Sequence, residues 1–167
     1  MKFELKRLSP EALTRALEKA HLYRLLNEPA EAESICRDIL DVDPEHQDAL
    51  VTLLLALTDQ FDKNAVSAVG EARRVIERVT NPYAHVYYAG IVFERRAKAL
   101  YHSVPGAGSR AYEWLREAMT WYEKAERLRP AGNDDALLRW NACARLLMDD
   151  HRLVPAIEER GEPHFLE

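Results

Sequence analysis

The chain has 167 residues, enough for one compact domain with a sizeable core and too few for two independent ones. With 47% hydrophobic and 31% charged residues, it is too apolar for disorder and too evenly charged for a membrane span. A net charge of -5 argues against nucleic acid as a partner, because a protein that displaces counterions from a polyanion carries a basic excess.

The opening "MKFELKRL" lacks the long apolar segment and small-residue cleavage site of a signal peptide, so a cytoplasmic location is expected. Apolar residues then recur at threes and fours almost throughout, and alternating strand patterns are scarce, which predicts an all-helical protein. The first helix opens in "LSPEALTRALEKAHLYRLLNEP", where Ser9 can cap, Pro10 suits the first turn and Glu11 favours the positive end of the dipole. It ends over Asn27 to Pro29. The second helix, "AEAESICRDILDVDP", places Ala32, Cys36, Ile39 and Leu40 on one face and closes at Pro44. "DALVTLLLALTDQF" starts the next pair, and "FDKNAVSA" reads as a long separation before "VGEARRVIERVTNP", where Ala72, Ile76 and Val79 keep the face up to Pro82. A third pair begins at Tyr83, with Gly90 and Phe93 on its first helix; a longer insertion, "SVPGAGSR", precedes its second helix, which closes at Pro130. The last helix, "NDDALLRWNACARLL", is expected to be capped by Asn133, with Asp134 and Asp135 in its first turn.

Ala118, Tyr122, Ala125 and Pro130 repeat the separations of Ala32, Cys36, Ile39 and Pro44. A small residue one turn before a bulky one lets a neighbouring helix approach closely, and the proline forces the chain into the next helix. This pattern resembles the second helix of the tetratricopeptide repeat, and Ala20 with Tyr23 matches the small and aromatic positions of that family's first helix. The resemblance covers roughly residues 12 to 148 and is degenerate in the middle, and Trp140 stands where a small residue belongs. It implies an all-α, right-handed solenoid of about three and a half repeats over residues 1–150, followed by a tail or docking segment over 151–167.

In that family the first helices line a concave face. Carried over by register, the partner-binding positions are His21 and Arg24, then Thr52 and Leu55, then Tyr87, Tyr88, Ile91 and Arg95, then Asn141 and Arg145, with Leu17, Val51 and Leu138 beside them. The resemblance further implies that a chaperone-type carboxylate clamp is absent, since Leu17, His21, Thr52, Ala84 and Tyr88 replace its lysines and asparagines. Adjacent on a helix, Tyr87 and Tyr88 point about 100° apart, so one is expected in the core and the other in the groove, unless both pack against neighbouring helices.

Six histidines form no metal-binding pair; His46 is read as a cap or loop residue and His164 as part of a tail. Cys36 and Cys143 fit buried free thiols. "GAGSR" after Pro105 lacks the spacing and lysine of a phosphate loop, and "ERRAK" at 94–98, near Arg110 and Arg116, reads as a solvated face with a residual anion-binding reading. Residues 151–167 mix acidic with apolar side chains, Leu153, Val154, Ile157, Phe165 and Leu166 among them, which suit either a frayed tail or a segment docked on the helices.

The expected function is therefore that of a non-catalytic adaptor, without metal or cofactor, that holds a peptide or partner surface. Two alternatives stay open: an enzyme or anion-binding protein using the 103–110 loop, and an architectural protein that self-associates, for instance as a homodimer.

Overall fold

The computed structural model describes residues 3–156, except for the side chains of 63–66. The described residues form no strand. They build α1 (Leu13–Leu25), α2 (Pro29–Val42), α3 (Gln47–Thr58), α4 (Phe61–Ile76), α5 (Pro82–Ser103), α6 (Gly108–Leu128) and α7 (Asp135–Asp149). The expectations for Ile157, Phe165, Leu166 and His164 fall outside the described residues.

Proline sets much of this punctuation. Pro29 and Pro82 occupy first turns, where the missing N–H is not needed, and Pro44 and Pro130 follow the ends of α2 and α6. Asn27 leaves α1 with φ 60°, a left-handed conformation that asparagine tolerates better than most residues. Two helices carry side-chain caps: His46 Nδ1 accepts the Ala49 N–H at 3.3 Å, and Asn81 Oδ1 accepts that of Ala84 at 2.9 Å. Ser9 precedes a single 3-10 turn, Pro10–Ala12, and its side chain makes no capping bond.

Three boundaries differ from the sequence expectations. "FDKNAVSA" is helical, not a connection, because the buried Phe61 anchors the first turn of α4 and only 59–60 separate it from α3. Half of "SVPGAGSR" is absorbed as well: α5 runs on to Ser103 and α6 starts at Gly108, leaving a turn over 104–107 in which Gly106 has φ 76°. Asn133 is not the cap of α7. Its Oδ1 accepts from the Tyr83 hydroxyl at 3.1 Å and from the Asp135 N–H at 3.0 Å, which ties the α6–α7 connection to α5.

Each helix packs on the next in chain order, and α1 also touches α3 and α3 touches α5. One core cluster joins α1 to α4 and takes in Val92 and Ala99 of α5, with Ala20, Ala32, Cys36, Leu50 and Leu54 fully enclosed; the other joins α5 to α7 around Leu115, Ala118, Tyr122 and Cys143. At Gly90 the Tyr122 ring of α6 lies against the backbone of α5. A Cβ there would stand 2.5 Å from Cε1 of the Tyr122 ring, so only glycine permits this approach. The chain beyond α7 belongs to the second cluster: Leu153 is 2% exposed, and the Arg152 carbonyl lies 2.1 Å from where a Cβ on Gly108 would be.

Candidate functional site

The sequence places its partner-binding residues on α1, α3, α5 and α7, and on the first three of these the structure links them into ties between helices. His21 Nε2 lies 2.9 Å from the Thr52 hydroxyl, which itself donates to the Asp48 carbonyl at 2.7 Å. At the end of α3, Asp59 takes the Arg24 Nε of α1 at 2.8 Å on one carboxylate oxygen and Arg95 Nη1 of α5 on the other. Arg95 also donates to the Thr58 hydroxyl at 2.8 Å. One carboxylate thus joins three helices in a partly exposed setting, where each ion pair contributes roughly 0–1 kcal/mol.

Tyrosines extend the face along α5. Tyr83 and Tyr87 stack at 5.7 Å, Tyr87 meets Tyr88 edge-on at 5.1 Å, and Tyr87 also lies 6.0 Å from the Tyr122 ring of the core. Both Tyr87 and Tyr88 are half-buried, so neither is wholly core nor wholly groove. Burial pushes the Tyr87 phenol up to about 12.

Two of the expected contact residues are not available to an occupant. Thr52 is 2% and Ile91 3% exposed, because both point into the interface between helices. Leu55 is half-buried. Among the described residues, Asn141 and Arg145 make no hydrogen bond or ion pair with the rest of the set; Asn141 is half-buried and Arg145 exposed, and Leu138, on the same helix, is 61% exposed.

"ERRAK" is not a solvated basic face. Its side chains diverge: Arg95 goes to Asp59, the Arg96 guanidinium sits 3.3 Å from the centroid of the Trp114 ring, and Lys98 donates to Glu94. Glu94 itself is fully enclosed. Its carboxylate also accepts from the Tyr122 hydroxyl at 2.6 Å and lies 3.3 Å from Arg139 Nε of α7. Two cations and a phenol compensate one buried carboxylate, and burial together with the Glu94 charge pushes the Tyr122 phenol far above its ordinary range. Cys143 faces the same carboxylate, and burial first and Glu94 second push its thiol up to about 12. Cys36 reaches about 12 by burial, so both thiols are inert at neutral pH. Sequence reasoning missed Glu94, although a signal existed: Gly90, Glu94 and Ala97 recur at helical spacing and therefore share the core-facing stripe.

The 104–107 turn borders a cavity of about 910 Å³ walled by Lys98, Tyr101, His102, Ser109, Leu115 and Leu146. Asp150 holds its mouth, accepting from Tyr101 and from Arg152 Nη2 at 2.7 Å; these hydrogen bonds, Arg152 first, keep the Asp150 carboxyl well below the usual carboxylate range. Among the described residues, no three His, Cys, Asp or Glu side chains could hold a metal ion, and no helix is long and apolar enough to cross a membrane.

No family model, no curated protein and no solved structure matches this chain.

Proposed function

We propose that this chain is a tetratricopeptide-like repeat adaptor, a solenoid of stacked helix pairs that binds a protein segment non-covalently along its first helices. The observation that carries the reading is the Asp59 junction, which ties α1, α3 and α5 side by side and leaves Tyr87, Tyr88, Leu138 and Arg145 on the helices assigned to the same face. Close helix approach at Gly90 and fully buried Ala20, Ala32 and Ala118 support the repeat resemblance, since these are its small positions. A face fixed before binding leaves most of the ordering entropy to the partner, and half-exposed tyrosines offer rigid contact area with a polar tip. The test is affinity capture from native lysate with the parent chain and with the double variant Leu138→Asp, Arg145→Glu. Both residues are exposed, so the variant should melt like the parent; a partner held by the parent and lost by the variant is the expected result. Capture of the same proteins by both excludes this face.

A second reading, an anion-binding or enzymatic site at 103–110, is favoured by the size of the cavity there. Its cations are already matched, Lys98 with Glu94 and Arg152 with Asp150, which ranks it below the adaptor. Titration calorimetry with inorganic phosphate separates the two. Self-association would use the exposed Leu22, Leu25 and Leu26 at the end of α1, and light scattering over a concentration series reads it directly.

A further inference from the structure

The first and last helices each expose a row of side chains with the same spacing. On α1, Arg15, Glu18, Leu22 and Leu25 follow one another at intervals of three, four and three, on the side away from the enclosed Ala20; all four are exposed, Leu25 by 85%. On α7, Leu138, Asn141, Arg145 and Met148 follow at the same intervals, on the side away from the enclosed Ala136 and Cys143, with Asn141 half-buried and Met148 75% exposed. This spacing keeps side chains on one stripe, and two such stripes interlock when their helices run antiparallel. Each stripe is about 15 Å long.

The rows complement each other position by position. Set antiparallel, they bring Leu25 opposite Leu138, Leu22 opposite Asn141, Glu18 opposite Arg145 and Arg15 opposite Met148, with the next residue, Asp149, in reach of Arg15 and of Lys19 on its flank. Among the described residues, none of Arg15, Glu18, Lys19, Arg145 and Asp149 forms an ion pair within the chain. The other charges on and beside the two helices do not oppose this pairing. Arg24 and Arg139 turn to Asp59 and Glu94, Asp134 is held by Arg129 and Asp150 by Arg152, and Glu11 and Asp135 lie beyond the ends of the paired stretch. A row paired with its own copy does worse. Two copies of α1 with Leu22 opposite Leu25 set Glu18 against Pro29, past the end of the helix, and two copies of α7 with Leu138 opposite Met148 set Arg145 against Asn141.

We propose that the chain associates head to tail, the exposed face of α1 in one copy packing antiparallel on the exposed face of α7 in the next. Leu22, Leu25, Leu138 and Met148 supply the apolar contact, while Glu18 with Arg145 and Arg15 with Asp149 fix register and direction. Because the two surfaces differ, a copy bound at one end still offers the other, and assembly continues into rings or filaments. One helix pair is small for an interface, so association is weak and grows with concentration. The inference rests on the self-association reading above and gives it a second surface. It is separable from the first-helix reading, because Glu18, Leu22 and Leu25 lie outside the positions that face uses.

Sedimentation velocity of the full chain, from about 10 μM to about 1 mM, tests it. The parent is expected to shift to larger species as concentration rises. Leu22→Asp with Leu25→Asp, which spoils α1, and Leu138→Asp with Arg145→Glu, which spoils α7, should each stay monomeric, and an equimolar mixture of the two should form a dimer that grows no further. Glu18→Arg alone should weaken association by roughly tenfold, and adding Arg145→Glu to the same chain should restore it. All the substituted side chains are exposed, so melting curves should match the parent's. A parent that stays monomeric throughout overturns the proposal and the self-association reading with it; if that monomer captures a lysate protein that the α7 variant loses, the first-helix reading stands alone. Association that survives in the α7 variant means that α1 pairs with itself, and survival in the α1 variant means that α7 does; either result overturns the pairing and leaves self-association standing. A mixture that stays monomeric, or a charge exchange that restores nothing, overturns it as well.

Discussion

The two halves of the molecule solve the same packing problem with different chemistry. Between α1 and α4 the core is built from alanine, Cys36, leucine and Phe61, and the polar ties, His21 to Thr52 and Asp59 to Arg24 and Arg95, lie at its margin. Between α5 and α7 a carboxylate, a phenol and two cations lie between long helices that close to contact at Gly90. Apolar packing tolerates a shifted register if volume is kept, whereas a buried ion cluster is satisfied in only one arrangement. On this reading the second half gains definition of helix register at the cost of desolvating charge, and the first half does not depend on such a cluster.

The largest break should come from the cluster. Glu94→Ala leaves Lys98, Arg139 and the Tyr122 hydroxyl without their acceptor and should cost about 3–5 kcal/mol in chemical denaturation; Glu94→Gln, which keeps an acceptor, should cost less. Next come the close approaches. Ala118→Leu and Gly90→Ala should each cost about 1–3 kcal/mol, since an added group at either position meets packed atoms; an unchanged denaturation midpoint would contradict the α5–α6 contact. Smaller still is Asp59→Asn in the first half, roughly 1 kcal/mol at low salt and less at high salt, because both ion pairs are partly exposed.

The smallest effect concerns the end of the second half. The Asp150 carboxyl is held below its ordinary value, first by Arg152 and then by Tyr101. Its contribution is therefore complete above the unfolded carboxylate value of about 3.9 and is lost as pH falls through the folded one. Melting curves of the parent and Asp150→Asn should differ at neutral pH and converge as the medium becomes strongly acidic.

Helix identity was legible because period and proline placement are local properties. Pro44, Pro130 and the tight position at Gly90 could be read from spacing, while for His46 spacing left cap and loop residue both open. What escaped depended on contacts distant in sequence. The "FDKNAVSA" helix follows from burial of Phe61, and the second role of Asn133 depends on Tyr83, fifty positions away. Among the candidate contact residues, register put His21 and Arg24 on α1 and Tyr88 and Arg95 on α5, but it could not say that Asp59 would collect the two arginines. Thr52 and Ile91 were misjudged because their helices pack more deeply than an amphipathic stripe alone discloses. Glu94 was taken with its charged neighbours, although its own spacing from Gly90 and Ala97 pointed inward.

The central claim is that the first helices present one partner-binding face. A photo-crosslinking residue at position 138, exposed on α7, tests it most directly against the same residue at position 128, exposed on α6. The account predicts a discrete protein adduct from 138 that is absent from 128; no adduct from 138, or the same adduct from both positions, would contradict it.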